Sequence, residues 1–273
     1  HYWLMTQYEE TRRITGDNER SGLNLRLVRN IRIPTPPQGE QKRIAGILTE
    51  RMVAIEKARA AAEAQLEAVK VLAPTYLQQM FPKPGQALPC GWKQGRLSEV
   101  STFLDSLRVP VEGRERTKRT AGRPASMLYP YYGANGQVGW IDDFIFDEPL
   151  VLLAEDGGFF GSLERPIAYM INGKSWVNNH AHVLRPNDGI EIEFLWSMLA
   201  VRPDVGIMVT GNTRQKLNQD IAARIPIWIA PLVDQKIIAV KLKRLLTSVE
   251  GLRAGVEQQI NEINALPQAL LTQ

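Results

Sequence analysis

The chain has 273 residues, 44% of them hydrophobic, which supplies core material for one large domain or two ordinary ones and excludes wholesale disorder. Lys+Arg 33 against Asp+Glu 29 leaves a formal charge of +4, a mild basic excess that permits nucleic acid as a partner without demanding it. The single cysteine, Cys90, rules out an internal disulfide framework and any multi-cysteine metal site. No apolar run approaches the ~18 residues needed to span a bilayer, so no membrane partner is expected and the chain reads as cytoplasmic. It begins at His1 within what looks like folded sequence, which suggests a fragment.

In chain order, the first strong signal is a repeat offset by 194 residues. Leu23, Asn24, Ile31, Ile33, Pro37, Gln41 and Lys42 align without a gap on Leu217, Asn218, Ile225, Ile227, Pro231, Gln235 and Lys236. Each copy reads as a β-rich run, a proline-punctuated exit, an acid-Gln pair (Glu40-Gln41; Asp234-Gln235) and a long helix. The acid sits where the helix macrodipole favours negative charge. In the first helix Leu48, Ile55, Ala62, Val69 and Tyr76 recur every seven residues, with Met52, Arg59, Leu66, Ala73 and Met80 in the companion row, which predicts a coiled-coil seam ending near Phe81. Residues 82–229 differ in character. Short runs rich in Val, Ile, Phe, Tyr and Trp, such as Leu150–Ala154 and 167–171, are bounded by Gly, Asn and Asp and predict strands, with one helix over Ile192–Ala200. The second helix repeats the seam through Leu242, Val249, Val256, Ile263 and Leu270, with Ala239, Leu246, Arg253 and Ile260 beside it; Pro267 should kink or end it. The expected fold class is α+β, a β-rich domain with two long helices forming an antiparallel coiled coil.

Catalytic signatures are missing. The sequence has no GxxxxGK[ST] phosphate loop and no Asn-Pro-Pro-Tyr type motif of an amino-methyltransferase. The acid pairs Asp142-Asp143 and Glu155-Asp156 read as turn residues beside strands. His180 and His182 would share one face of a strand, where a structural or base-contacting role outweighs metal binding for want of a third ligand. Cys90 has no His near it in sequence and is not expected to be a nucleophile.

Four stretches read as candidates for nucleic-acid contact. Residues 108–123 carry a local excess of four positive charges, from Arg108, Arg114, Arg116, Lys118, Arg119 and Arg123 against Glu112 and Glu115, with no apolar period. They read as a loop, either simply solvated or ordered on phosphates. Asn135-Gly136 supplies two residues tolerant of positive φ, making a tight turn that projects Tyr131 and Tyr132; a plain hairpin and a DNA-reading loop are equally consistent with it. Asn212, Thr213, Arg214, Gln215, Lys216 and Asn218 bring together side chains that read base edges, Arg to guanine and Asn or Gln to adenine, although a polar loop shared with Asn18, Arg20 and Asn24 of the first copy could instead tie domain to helix. Trp176, Asn178, Asn179 and His180 combine an aromatic with amides and are expected to line the same face.

At this point the chain resembles the specificity subunits of type I restriction-modification systems. The resemblance is carried by IRIPTPPQGEQKRIAGIL and, more loosely, IPIWIAPLVDQKIIAVKL at the helix entries, and by LPCGWKQGRLSEV, YPYYGANGQVGWIDDFIF, LLAEDG, WVNNHAHVLRP and GNTRQKLNQ in the central segment. It implies the remnant of a first target recognition domain at 1–33, a first long helix at 34–81, a second target recognition domain at 82–229 and a second long helix at 230–273. The second helix entry departs from the pattern, with one proline fewer and Asp234 in place of Glu. The resemblance further implies a non-catalytic subunit that binds double-stranded DNA and directs methyltransferase (M) and restriction (R) subunits to it. S-adenosylmethionine, ATP and magnesium would belong to those partners, with none in this chain. A naturally truncated first domain would leave two copies to dimerise on a symmetric site. The alternative from another class is a coiled-coil scaffold whose β domain binds protein or a small ligand.

Overall fold

The computed structural model describes Leu4, Gln7 and residues 25–83, 86–162, 164–211 and 215–272. These fall into two compact units, one made of 1–69 with 250–273 and the other of 70–249. The elements in order are α1 (Leu25–Arg29), α2 (Gln38–Lys70), α3 (Leu72–Gln79), β1 (Lys93–Arg96), α4 (Leu97–Val100), β2 (Ser101–Phe103), α5 (Gly113–Thr120), β3 (Tyr129–Gly133), β4 (Gly136–Ile141), β5 (Phe146–Asp147), β6 (Leu150–Ala154), β7 (Ala168–Ile171), β8 (Lys174–Val177), β9 (Ala181–Pro186), α6 (Ile192–Ala200), α7 (Gln219–Ala223), β10 (Pro226–Ile229) and α8 (Leu232–Thr272).

The sequence repeat has a structural counterpart. α1 and α7 stand at the same offset of 194, as do the first residues of α2 and α8. Gln41 donates from Nε2 to the Pro36 carbonyl at 2.6 Å, and its equivalent Gln235 donates to the Ala230 carbonyl at 2.9 Å. Gln235 is buried and also accepts from the Glu191 N–H at 2.9 Å, while Asp234 accepts from Trp92 Nε1 at 2.8 Å. The acid-Gln pair thus fixes the helix entry. The two copies differ just before it. Residues 226–229 form β10 because β1 pairs with them antiparallel, whereas 32–37 have no strand partner among the described residues and stay irregular. A strand needs a neighbour to satisfy its N–H and C=O groups.

In the unit formed by 1–69 and 250–273, burial follows the predicted seam. Between residues 41 and 69, the positions withdrawn from solvent are Leu48, Met52, Ile55, Arg59, Ala62, Leu66 and Val69; in α8 they are Val256, Ile260, Ile263, Pro267, Leu270 and Leu271. The stripes are those of two long helices in an antiparallel coiled coil. Arg59 lies half-buried in its stripe and pairs with Glu56, but Arg253 turns outward to Glu257 at 3.0 Å. Two prolines act against simple expectation. Pro267 does not end α8, which continues to Thr272; this close to the terminus only one intrahelical bond is forfeited. Pro74 has the larger effect. Its ring has no N–H to continue the i→i+4 ladder, and the first helix is interrupted at Val71 before resuming as α3.

In the unit of 70–249, β2-β9-β6-β7 form a four-stranded antiparallel sheet, β4-β3-β8-β5 a second with one parallel pairing (β3 with β8), and β1-β10 a third. β6 is buried along its whole length, and its alternating side chains serve two cores. Val151 and Leu153 pack with Phe194, Leu195 and Leu199 of α6, while Leu150 and Leu152 pack with Phe146, Val177 and Val183. α6 spans the residues the sequence indicated, and Trp196 Nε1 fastens it to the Ala168 carbonyl of β7 at 3.0 Å. Leu77 and Met80 at the end of the first helix meet Leu242 and Leu246 of α8 over Ala200 and Val201.

Candidate nucleic-acid interface

Four of the stretches marked in the sequence meet just beyond the end of β6. The Glu155 N–H donates to the His180 carbonyl at 2.9 Å, and the Glu155 carbonyl accepts from the Leu217 N–H at 2.7 Å. Asp156 pairs with His180 at 2.7 Å and forms a β-bridge with Lys216. The Gly157 carbonyl accepts from Asn135 Nδ2 at 2.8 Å. The β3–β4 hairpin tip, the loop after β6, the turn before β9 and residues 215–217 are therefore one cluster.

Beneath it lies a network of charges. Glu155 accepts from Arg108 Nη1 at 2.7 Å on one carboxylate oxygen, and Lys216 Nζ stands 3.0 Å from the other. Arg108 also donates to the Ala181 carbonyl at 2.7 Å and lies 3.5 Å from Asp105. The buried His182 ring is held at both ends, Nδ1 at 2.6 Å from Asp105 Oδ2 and Nε2 at 2.7 Å from the Leu217 carbonyl. Burial pushes the Glu155 carboxyl up, but the hydrogen bonds from Arg108 and Lys216 outweigh it and hold the group below its ordinary value. Asp105, Glu155 and His182 bring ligand-type atoms within 4.8 Å of one another, a grouping sequence reasoning missed because Asp105 and His182 are 77 residues apart. Its carboxylates are already balanced by Arg108 and Lys216, so the geometry is that of an ion-pair network anchoring the loops.

On the outside of the cluster Asn135, Asn179, Gln215 and Lys216 are exposed and His180 is half-exposed. These are hydrogen-bonding groups on loops fixed from below, the arrangement that base-edge recognition requires. The acid pairs Asp142-Asp143 and Glu155-Asp156 all have protein partners. Asp142 holds Arg119 at 2.6 Å and Arg123 at 3.0 Å, and Asp143 accepts from the Phe144 N–H at 2.8 Å.

Several sequence expectations are corrected by this geometry. Residues 113–120 are the helix α5, not a loop: Arg, Glu and Lys favour helix, and Thr117 and Thr120 bond back to the carbonyls of Gly113 and Arg116. On α5, Arg114 and Lys118 are exposed, while Arg116 lies over the Tyr131 ring at 4.5 Å and Arg119 over Trp176 at 5.0 Å. Arg108 belongs to the buried network, so it offers no phosphate contact. Tyr131 is buried, its hydroxyl accepting from the Val111 N–H at 3.1 Å. Trp176 is buried and donates to the Val109 carbonyl at 2.6 Å, so both rings support α5 from within. Tyr132 is half-buried against Tyr169, and burial raises its phenol above the usual value. Asn178 is buried with its Oδ1 accepting from the His180 N–H at 2.8 Å, and Asn218 caps α7 by accepting from the Ile221 N–H at 2.9 Å. The hairpin turns at Ala134 and Asn135, and of Asn135 and Gly136 only the glycine takes positive φ. Asn212, Thr213 and Arg214 lie outside the described residues.

A β-rich domain that gathers amide and cationic side chains on one loop cluster, with a long helix on either side of it in sequence, is the architecture of a modular recognition protein. Residues 89–262 match the family described as the type I restriction modification DNA specificity domain, and the chain belongs to that family. A curated relative, a putative type I restriction enzyme specificity subunit S.HindORF215P of Haemophilus influenzae, is 33% identical over 158 residues, spanning 58% of this chain and 37% of the relative. The chain thus aligns with well under half of that protein. Among solved structures, one from work on complex assembly and conformational transition of the type I R-M system superposes with a TM-score of 0.72 at 21% identity, covering 99% of this chain and 67% of that one. The HsdS subunit from Thermoanaerobacter tengcongensis gives 0.56 at 19% identity, covering 99% and 68%, and the type I S subunit from M. genitalium gives 0.56 at 16%, covering 98% and 70%. At these identities the likenesses show the fold.

Proposed function

We propose that this chain is a non-catalytic DNA-specificity subunit whose domain at 82–229 reads duplex DNA through the loop cluster around Glu155. The observation that carries the reading is the convergence of Asn135, Asn179, His180, Gln215 and Lys216 on loops anchored by one buried network. Arg114 and Lys118 on α5 supply phosphate attraction, and Arg116 and Arg119 fix that helix on its aromatic bed. The paired helices hold the reading unit at a set distance and carry methyltransferase and restriction subunits, which bring S-adenosylmethionine, ATP and magnesium. Among the described residues no helix is long and apolar enough to cross a membrane. Family membership does not favour the coiled-coil scaffold alternative.

The test is selection of duplexes from a random pool by the chain together with its methyltransferase subunit, followed by fluorescence anisotropy on enriched and scrambled duplexes. Specific complexes commonly bind about 10³-fold or more tighter than non-specific ones. Equal affinity for both duplexes would overturn the proposal.

A further inference from the structure

Of the large apolar side chains on the surface, Ile207 is the most open of the described residues, at 90% exposure. Its backbone is nevertheless clamped. Ile207 closes the single 3₁₀ turn Pro203–Ile207, within which Val205 is fully buried. The next residue, Met208, donates its N–H to the Val205 carbonyl at 2.9 Å and packs on the main core. On the other side, Gly206 presses so closely on the loop after β6 that a Cβ there would lie 2.8 Å from the Gly161 backbone. Three residues further on, Thr210 exchanges two backbone hydrogen bonds with Lys216, at 3.0 and 2.7 Å. Ile207 is thus mounted between two loops of the candidate interface and points away from both cores.

Leaving such a side chain in water forgoes the stabilisation that burial would supply. A protein-docking anchor normally sits within an apolar patch that excludes water around it. The two loops beside Ile207 also carry the exposed Gln215 and Lys216, groups suited to bases and phosphates. A stiff apolar side chain among such groups is suited to entering a duplex, where Ile, Leu or Phe wedged between base steps unstack and kink it. We propose that Ile207 is an apolar wedge that inserts at one base step of the target and makes the domain sensitive to how readily that step deforms. The inference rests on the DNA reading above. Pyrimidine–purine steps yield most easily, so the enriched target carries one opposite Ile207.

The experiment uses the chain with its methyltransferase subunit and the enriched duplex, with a fluorescent adenine analogue scanned along the site and end-to-end energy transfer reporting bend. The wild-type complex brightens the analogue at one step and shortens the end-to-end distance. Ile207→Ala abolishes both signals and weakens specific binding about tenfold with an unchanged salt slope and melting temperature, while Ile207→Leu retains them. Replacing the flexible step by a stiff A-tract step weakens the wild type and leaves Ile207→Ala unaffected. Unaltered bend and brightening in Ile207→Ala would overturn the wedge while leaving the DNA reading intact. A wild-type complex that does not distinguish enriched from scrambled DNA overturns the DNA reading itself, and the wedge with it.

Discussion

Two arginine-bearing segments lie within a few residues of each other and meet opposite ends. Arg108 is drawn into the protein, where Glu155, Asp105 and the Ala181 carbonyl surround it. From Gly113 the chain turns into α5, a surface helix that keeps Arg114 and Lys118 exposed and lays Arg116 and Arg119 on aromatic rings. Each of these cations counts equally toward the basic excess of the sequence. Only the second segment offers charge to a phosphate, because Arg108 is withdrawn from solvent together with its carboxylate partners. Positive charge in a sequence measures supply, and the fold decides how much of it is available.

The sharpest way to break this contrast is at Glu155. Glu155→Ala leaves Arg108 buried without its principal partner and should cost about 3–5 kcal/mol in denaturant unfolding. A loss below ~1 kcal/mol would show that the network behaves like a surface ion pair. The pH dependence follows from the same residue. The folded state holds the Glu155 carboxyl below its ordinary value of 4.5, so its stabilisation is present above that value and is lost as pH falls through the lower folded one. Glu155→Gln should therefore be less stable than wild type at neutral pH, with the gap closing in acid; a gap constant with pH would contradict the assignment. A smaller effect is expected at the edge of the cluster, where Asn218→Ala removes the cap of α7 and should cost about 1 kcal/mol by thermal unfolding. At the other extreme, Arg114→Glu with Lys118→Glu should change stability by less than about 0.5 kcal/mol. The pair should nonetheless weaken binding to every duplex and lower the salt slope by roughly 0.9 for each phosphate contact removed. An unchanged slope would mean that α5 is merely solvated.

The seam of the helices was legible because it depends on spacing alone: Leu48, Ile55, Ala62 and Val69 lie on one side of any α-helix, and they are among the residues withdrawn from solvent. β6 and α6 were legible for the same reason, since a continuous run such as Leu150–Ala154 or Ile192–Ala200 has few other ways to hide its side chains. The interruption at Val71 follows from Pro74 but was masked by the strength of the heptad pattern around it. The candidate interface was legible only as separate pieces. Asn135, His180 and Lys216 could be marked for their chemistry, yet Asn178 and Trp176, marked on the same grounds, are scaffold. An amide or an indole looks alike in sequence whether it faces solvent or a neighbouring backbone group.

The sequence by itself determined the repeat at an offset of 194, the proline-marked helix entries with their acid-Gln pairs, the coiled-coil seam and the apolar runs that become β6 and α6. Apart from the repeat, which is a likeness of the sequence to itself, these rest on relations between residues a turn or two apart, where geometry is fixed by the backbone. Tertiary structure alone decided that Arg108 finds Glu155 across 47 residues, that His182 finds Asp105 across 77, and that four loops share one end of the domain. Those meetings depend on the sheet order β2-β9-β6, which brings distant strands side by side and lets burial choose which charges are opposed and which remain exposed.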